Sequence, residues 1–145
     1  MNELELLDFL SDHKINLHLG TLDDGGNPNI HPLWYYFDRI LQRIYFNTDK
    51  TSKKPNNLLK NPVDYFCLDS CTPPYIGVRG KGNVRITEHN EKNEHIAKKI
   101  LLKYLEDLKH PMTISILNSI IREESVIVKI DPVYYSTWGD SKNKW

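Results

Sequence analysis

The sequence predicts a mainly β fold, a small antiparallel β-barrel with helices at its ends and in its crossovers, formed by residues 1–145 as one domain. Several short segments alternate apolar with polar residues or are rich in β-branched and aromatic residues, as half-buried strands are. Glycine-containing or polar turns separate these segments. Two longer segments instead place apolar residues three and four positions apart, which is the spacing of a helix face. With 145 residues, the chain is long enough to bury a single core.

The N-terminal elements are predicted to be a helix and the first strand of the barrel. Residues 2–12 place leucines and a phenylalanine at the spacing of one helix face, and Asn2 can serve as the N-cap of this helix. Residues 15–21 alternate strictly between apolar and polar, which indicates a half-buried strand. Residues 23–28 contain two glycines that can adopt positive φ, and they predict a hairpin turn.

The middle of the chain is predicted to hold two strands and a short helix. Residues 29–38 favour a strand, but Pro32 cannot donate a ladder hydrogen bond and marks an edge, a bulge or contact with something other than a strand. Residues 43–47 form the third predicted strand. Residues 52–60 predict a helix, with Pro55 in the first turn where no intrahelical donor is lost.

The last part of the chain completes a six-stranded barrel. Strands are predicted over residues 63–68 and 75–87, and the second contains glycines that allow the bends or bulges that close a barrel, namely Gly77, Gly80 and Gly82. Residues 91–108 predict the longest helix and residues 112–119 a shorter one. Residues 125–130, continuing toward Trp138, form the closing strand.

The composition argues against several classes of function. Lys plus Arg and Asp plus Glu both total 19, so there is no general basic face for nucleic acid, and any anion site must be local. No apolar run approaches the roughly 20 residues that cross a bilayer, and the N-terminus is acidic, so we expect a cytoplasmic protein without membrane contact. Cys67 and Cys71 are interpreted as structural residues, and no metal site is expected because the six histidines are scattered.

The stretch from Ile44 to Pro62 carries the strongest indication of a ligand. It runs from a strand into a helix start, where unpaired N–H groups and the helix macrodipole favour an anion. Hydroxyl and ammonium groups accompany these N–H groups, from Thr48, Thr51, Ser52, Lys53 and Lys54. The segment therefore predicts a phosphate site, although a capped surface helix with solvated lysines has the same residue types.

The order of these elements resembles the pyridoxamine 5'-phosphate oxidase-like family, whose fold is the FMN-binding split barrel. The resemblance extends from Leu7 to Trp138 and implies a six-stranded antiparallel split β-barrel. It rests on five short pieces in order, which are residues 19–23, 28–35, 48–58, 61–63 and 130–134.

The resemblance also implies a site. Ser52, Lys53 and Lys54 would hold the cofactor phosphate, and Asn47 and Thr48 would lie near the ribityl chain. The isoalloxazine ring would lie beside the strand that contains His31, Pro32, Leu33 and Trp34, although Trp34 is equally compatible with the barrel core. Family barrels are homodimers with the cofactor at the interface, which implies contributions from Tyr75 to Arg79 and from Tyr134 to Trp138 of a second copy, unless these residues are core.

Two departures from the family pattern narrow the function. Some members carry a phosphate-binding arginine where this chain reads Asn29-Ile30-His31, and the true oxidases end in an arginine- and histidine-rich segment that residues 138–145 lack. We therefore do not expect a pyridoxamine phosphate oxidase. The resemblance implies an FMN-dependent oxidoreductase that moves a hydride to or from a small organic substrate, with no catalytic residue identifiable because the cofactor carries the chemistry.

Two alternatives stay open at this point. A reductase of the same fold that uses the deazaflavin F420 would need extra cations for a longer phosphate-bearing tail, and Lys50, Lys60 and Arg79 are candidates. A non-catalytic flavin carrier or haem-binding protein is the second alternative. Haem would need an axial histidine, and His18, His31 and His89 are candidates without a basis for choosing among them.

Overall fold

The computed structural model describes residues 1–12, 14–87 and 90–139, which contain four helices and seven strands. In chain order these elements are α1 (Glu3–Asp12), β1 (Leu17–Leu22), β2 (Pro28–Leu33), β3 (Tyr36–Asp38), β4 (Arg43–Asp49), α2 (Lys53–Lys60), β5 (Val63–Asp69), β6 (Gly77–Thr87), α3 (Asn90–Leu105), α4 (Pro111–Ile121) and β7 (Ser125–Trp138). None of these helices combines the length and the apolar character needed to cross a bilayer. His89 and the end of the C-terminal segment lie outside the described residues.

The strands form one antiparallel sheet that curls into a half-barrel. The strand order is β2-β1-β5-β6-β7-β4-β3, so β2 and β3 are the two edges although they follow each other in the chain. The mainly β antiparallel fold is confirmed, but the expectation of six strands is wrong. The segment 29–38, predicted as one strand, forms β2 and β3 instead.

Contacts to two helices explain why the chain leaves the sheet at Trp34 and Tyr35. The Tyr35 hydroxyl donates a 2.7 Å hydrogen bond to the Leu10 carbonyl at the end of α1. The Trp34 ring stacks on Tyr104 of α3, with centroids 4.9 Å apart and planes 4° from parallel. Both aromatic residues, which the sequence pattern assigns to a continuous strand, therefore pack against helices and separate the two edges of the sheet.

Two predictions about special residues in strands are confirmed. Pro32 lies in β2, an edge strand that pairs only with β1. No strand lies on the other side of β2, so a missing N–H is tolerated there. The pairing of β6 with β7 shifts register between Lys81 and the predicted glycine Gly82, because Val133 of β7 has no partner on β6; the bulge therefore lies in β7, opposite Gly82. Gly82 is required there because a Cβ atom would lie 2.4 Å from Cγ2 of Ile130.

The main core fills the inside of the half-barrel and extends onto α1 and α2. Every strand except β2 gives it at least one side chain that is less than 5% exposed, and the helices add Phe9, Leu10 and Leu58. The predicted N-cap of α1 is confirmed as a capping box, because Asn2 Oδ1 accepts from the Glu5 N–H while Glu5 Oε2 accepts from the Asn2 N–H.

A second, smaller core lies outside the sheet beneath α3 and α4. Tyr45 and Ile127 pack there against Ala97 and Ile120, while the neighbouring Phe46 faces the main core. Because successive side chains of a strand point to opposite faces, β4 is covered on both faces. This alternation assigns Asn47 to the face beneath the helices and Thr48 to the interior face.

Candidate functional site

A cavity of about 360 Å³ lies between the edge strand β2, the strand β4 and the helices α3 and α4. Four residues that the sequence analysis assigned to a cofactor line it, namely Pro32, Leu33, Trp34 and Asn47. The helices contribute apolar side chains that the sequence reasoning treated only as helix faces, namely Ala97, Ile100, Leu101, Met112 and Ile116. Apolar residues that line a cavity have the same sequence pattern as core residues, so the sequence contains no signal for this wall.

Trp34 forms an aromatic wall of this cavity in a fixed orientation. Its ring stacks on Tyr104, whose hydroxyl donates a 2.7 Å hydrogen bond to the Ile15 carbonyl. The Tyr35 N–H also points to that hydroxyl, at 3.4 Å. Trp34 therefore packs against α3 and lines the cavity, and it is not among the residues of the main core.

Asn47 supplies the polar group of the cavity. Its Oδ1 atom is buried and has no hydrogen-bond partner among the described residues. A buried amide oxygen without a partner costs about 1–3 kcal/mol, and such groups occur mostly where a ligand, water or strain explains them. This amide is therefore the group in the cavity best suited to hydrogen bonding with a bound molecule.

The loop from β4 to α2 presents the predicted anion site. Ser52 is the N-cap residue of α2, but its side chain makes no capping hydrogen bond. Its hydroxyl donates to the Asp49 carbonyl at 2.8 Å and lies 3.1 Å from the Thr48 hydroxyl. The first turn of α2 contains no acidic residue, so its N–H groups and the Lys53 and Lys54 side chains form a local positive end.

One carboxylate lies in this loop and is stabilised in its ionised form by local hydrogen bonds. Asp49 Oδ1 accepts from both the backbone N–H and the hydroxyl of Thr51, each at 2.7 Å. These hydrogen bonds, together with the charge of Lys54, lower the pKa of Asp49. The N–H and hydroxyl groups of Thr51, which the sequence suggested as a possible anion ligand, are therefore already hydrogen-bonded to Asp49.

His31 connects β2 to the anion site through a chain of hydrogen bonds. Its Nε2 atom lies 3.0 Å from the Thr21 hydroxyl, which accepts a 3.0 Å hydrogen bond from Asn57 Nδ2 of α2. Burial and then the charge of Lys54 lower the pKa of His31, so the imidazole lies within the electrostatic influence of that ammonium group. Thr21 and Asn57 were missed from the sequence, because only the packing of α2 on β1 brings them together.

The sequence matches the family model for pyridoxamine 5'-phosphate oxidase over residues 4–139. The chain belongs to the pyridoxamine 5'-phosphate oxidase family. No protein of curated function matches the sequence significantly.

Solved structures agree with this family at the level of the fold. Rv2991, a conserved hypothetical protein of Mycobacterium tuberculosis, is 23% identical with a TM-score of 0.80, covering 96% of this chain and 85% of its own. An F420 reductase is 20% identical with a TM-score of 0.70, covering 89% of this chain and 94% of its own. A FAD-binding protein of Mesorhizobium loti is 19% identical with a TM-score of 0.69, covering 94% of both chains. At these identities the likeness shows the fold alone.

The other residues suggested by the resemblance to the pyridoxamine 5'-phosphate oxidase family do not gather at the cavity within one chain. Tyr75 precedes β6 and is half exposed. The helix α2 packs near Val84, at the other end of β6. At about 3.3 Å per residue, Tyr75 and Val84 are roughly 20 Å or more apart along this strand. Lys60 forms a 2.5 Å ion pair with Asp24. Its ammonium group is therefore already paired.

The remaining tail and haem candidates line two other cavities. Lys50 lines one of about 690 Å³ beside α2, together with Arg85, which was not a candidate from the sequence. His18 and Arg79 line one of about 270 Å³ on the outer face of the sheet. The three cations suggested for an F420 tail, Lys50, Lys60 and Arg79, therefore do not form one cluster.

Proposed function

We propose that this protein is a flavin-dependent oxidoreductase that binds FMN and transfers a hydride between the flavin and a small organic substrate. The proposal rests mainly on one observation. A single cavity is lined by residues of β2, β4 and the segment after β2 that the resemblance assigns to the cofactor, namely Pro32, Leu33, Trp34 and Asn47. The loop that follows β4 adds a helix start with two lysines. FMN supplies the redox chemistry, so the residues of this chain need only bind and orient it and exclude water.

The phosphate end of the cofactor is assigned to the start of α2. Lys53 and Lys54 provide positive charge, while Ser52 and Thr48 provide hydroxyls and the first helical N–H groups provide directed donors. The first turn of α2 contains no acidic residue, so no carboxylate of that turn competes with a phosphate for these groups. A phosphate dianion therefore fits this loop in charge and in donor geometry.

The ring end is assigned to the segment from His31 to Trp34. An edge strand has backbone groups that no neighbouring strand pairs, so β2 can offer hydrogen bonds to the polar edge of a ring. Leu33 and Trp34 supply apolar surface beside it, and the amide of Asn47 is placed for a hydroxyl of the ribityl chain. These assignments use residues of one chain only.

A homodimer is part of the proposal. A row of residues crosses the outer face of the sheet in register, from Ile30 through Gly20, Tyr65 and Lys81 to Tyr134. Ile30, Tyr65 and Tyr134 are each about half or more exposed, and apolar surface of this kind favours burial against another protein. We infer that a second copy covers this face and brings its Tyr75 to the cofactor.

F420 is the second candidate cofactor. The cavity of about 690 Å³ beside α2 carries two cations, Lys50 and Arg85, next to Pro55 and Asn56 of that helix. It therefore offers space and charge for an anionic tail that continues beyond the phosphate. FMN needs no such space.

The deciding experiment measures cofactor binding by visible absorption. The purified protein is titrated with FMN and with F420, alongside a Lys53→Ala, Lys54→Ala double variant and a Lys92→Ala, Lys109→Ala control that removes two exposed lysines elsewhere. We expect FMN to bind, and its affinity to fall by about 30-fold or more in the first variant only, because charged hydrogen bonds contribute about 1.5–3 kcal/mol each. Binding of neither cofactor, or equal loss in both variants, would refute the proposal.

A Lys50→Ala, Arg85→Ala variant separates the two cofactors. If F420 is the natural cofactor, this variant loses F420 affinity while FMN affinity stays unchanged. If FMN is the natural cofactor, F420 binds no more tightly than FMN and the variant changes neither affinity.

A further inference from the structure

A buried ammonium group lies behind the aromatic wall of the candidate cofactor cavity. We propose that Lys103 of α3 is a positioning residue for the flavin site: it fixes the wall that Trp34 forms, and its positive charge favours the reduced, more negatively charged state of the bound flavin. The effect on the flavin rests on the proposed function. The placement of the charge rests on the contacts of this chain alone.

Aromatic rings surround the Lys103 ammonium group in place of hydrogen-bond acceptors. Its Nζ atom lies 3.6 Å from the centre of the Tyr35 ring and 5.4 Å from the centre of the Tyr104 ring. The atom is buried and has no hydrogen-bond partner among the described residues. The two ring faces therefore hold this charge, because the face of an aromatic ring carries the negative part of its quadrupole.

The same rings connect Lys103 to the cavity. Tyr104 stacks on Trp34, with centroids 4.9 Å apart, and Trp34 lines the cavity. The Tyr35 hydroxyl is anchored on α1 by its hydrogen bond to the Leu10 carbonyl. By contacting both Tyr35 and Tyr104, the ammonium group fixes the segment that follows β2 against α3, and with it the orientation of Trp34.

The charge of Lys103 is close enough to act on a ring in the cavity. The distances from Nζ to Tyr104 and from Tyr104 to Trp34 place this charge roughly 10 Å or less from the centre of the Trp34 ring. At the effective dielectric constant of about 20 that applies in proteins, unit charges still interact over this range. No charged side chain lines the cavity in the part of the chain that the structure describes, so none in the wall cancels the effect.

Lys103 carries its charge at neutral pH. Burial lowers the pKa of Lys103 to about 8, and the charge of Asp12 on α1 opposes this shift in part, so the amine is mostly protonated at pH 7. Asp12 is exposed, and water therefore screens it. The other titratable groups that face the ammonium group are the neutral phenols of Tyr35 and Tyr104, which leave its charge uncompensated.

An uncompensated buried cation is costly for a purely structural position. A methionine of similar length would pack against the same rings without the cost of removing an ammonium group from water. Buried polar groups without partners occur mostly where a function, a water molecule or strain explains them. Hydride transfer from a substrate to a flavin moves two electrons and one proton, so the ring gains one negative charge unless a second proton follows. A fixed positive charge near the ring favours that product.

The test compares the affinities for oxidised and reduced FMN at pH 7, because their ratio sets the reduction potential of the bound cofactor. Lys103→Met removes the charge and nearly keeps the length. We expect it to weaken binding of reduced FMN by about 3- to 10-fold more than binding of oxidised FMN, which lowers a two-electron potential by about 15–30 mV. Lys103→Arg keeps the charge and stacks on aromatic faces, so it should retain the wild-type potential.

Two further variants keep the proposal testable if Lys103→Met does not fold. Asp12→Asn removes the anion that acts on Lys103. It should change the ratio in the opposite direction, and by less, because Asp12 is exposed. Lys92→Met is the matched control, since it removes the same charge from an exposed position in the first turns of α3 and should leave the ratio unchanged.

A measurement without cofactor tests the placement of the ammonium group. The ε-methylene protons of Lys103 adjoin an ammonium group that lies over the Tyr35 ring, so we expect their NMR signals upfield of those of the exposed lysines. Signals at the ordinary position would overturn the proposal.

The outcomes separate this inference from the proposed function. If FMN binds and Lys103→Met weakens the affinities for both redox states equally, or leaves both unchanged, the charge has no effect on the flavin. The inference is then wrong, while the proposed function stands. If neither the wild type nor any variant binds FMN, the proposed function fails and the inference about the flavin fails with it.

Discussion

At the scale of single residues, Asp64 is the clearest case of a group whose charge opposes folding. It lies in β5 opposite Gly82, it is 1% exposed, and neither carboxyl oxygen makes a hydrogen bond of good geometry among the described residues. The backbone N–H groups of Asp64 and Gly82 offset the effect of burial on its pKa only in part. Burial raises the pKa of Asp64 to about 7. An ionised carboxylate in this position is costly, so the folded state prefers the neutral acid.

This burial predicts a dependence of stability on pH with a definite sign. Asp64 is protonated in both states below about pH 4, the ordinary pKa of an unfolded aspartate. Between that pH and about 7 only the unfolded state ionises, so the side chain progressively destabilises the fold, by at most about 4 kcal/mol in total. We expect Asp64→Asn to raise the free energy of unfolding by about 2 kcal/mol or more at pH 8 and to change it little at pH 4.

Urea denaturation of the wild type and the variant at both pH values measures this difference. Asp69→Asn is the control, because Asp69 lies on the same strand but is exposed. A gain in stability of the same size at pH 4 and at pH 8 would contradict the argument, since the benefit would then not come from the charge.

At the scale of elements, the site depends on how α2 is placed against β2 and β1. The hydrogen bonds from Asn57 to Thr21 and between Thr21 and His31 cross three elements. They fix His31 of β2 relative to α2, whose first turn carries Lys54. If the start of α2 binds a phosphate, His31 is the one titratable side chain of β2 that can respond to its charge. Some family members have an arginine in this region.

The pKa of His31 reports this placement directly and needs no cofactor. Burial and, second, the charge of Lys54 lower the pKa of His31. We therefore expect Lys54→Ala to raise this pKa toward its ordinary value without restoring it fully, because the larger cause remains. Lys53→Ala is the matched control, since Lys53 is not among the groups that shift His31. The measurement is an NMR titration of the His31 ring protons, and equal shifts in both variants would show that α2 is not oriented as described.

Some of these elements could be predicted from sequence patterns, and others depend on contacts between distant residues. The starts of the helices, the N-cap Asn2 and an irregularity beside Gly82 follow from local chemistry, and they could be predicted from the residues themselves. The end of α3 was not, because this helix was expected to run to residue 108 and ends at Leu105. The break at Trp34 and Tyr35 could not, because it depends on Leu10 and Tyr104, which are distant in sequence. The β4 residues of the candidate site and the start of α2 are nearly contiguous in sequence, so the sequence could propose them together. The wall from α3 and α4 is apolar, and only packing distinguishes it from core.

At the scale of the whole molecule, the two faces of the sheet differ in how they are covered. Where β4 and β7 lie side by side, α3 and α4 cover the outer face. The rest of the outer face carries Ile30, Tyr65 and Tyr134, which are 73%, 58% and 48% exposed. The ammonium group of Lys81 lies 5.8 Å from the centre of the Tyr65 ring, so even the basic residue of this row packs over an aromatic face.

The proposed homodimer is testable through this face. Tyr65→Glu combined with Ile30→Glu places one charge in the middle of the row and one at its end. We expect the protein to become monomeric, because a buried unpaired carboxylate costs several kcal/mol. The measurement is molar mass by size-exclusion chromatography with light scattering. Ile40→Glu is the control, since Ile40 is 93% exposed in the turn between β3 and β4, outside this row, and the control is expected to remain a dimer.

The same variants also connect assembly to cofactor binding. If the second copy contributes Tyr75 to the site, the monomeric variant should bind FMN about 10-fold more weakly while its methyl NMR spectrum still shows a folded core. Tyr75→Ala should weaken FMN binding to a similar degree but leave the dimer intact, because Tyr75 lies outside the row. A monomeric variant with unchanged FMN affinity would mean that each chain holds the cofactor alone. A wild type that is already monomeric would remove the role proposed for the outer face.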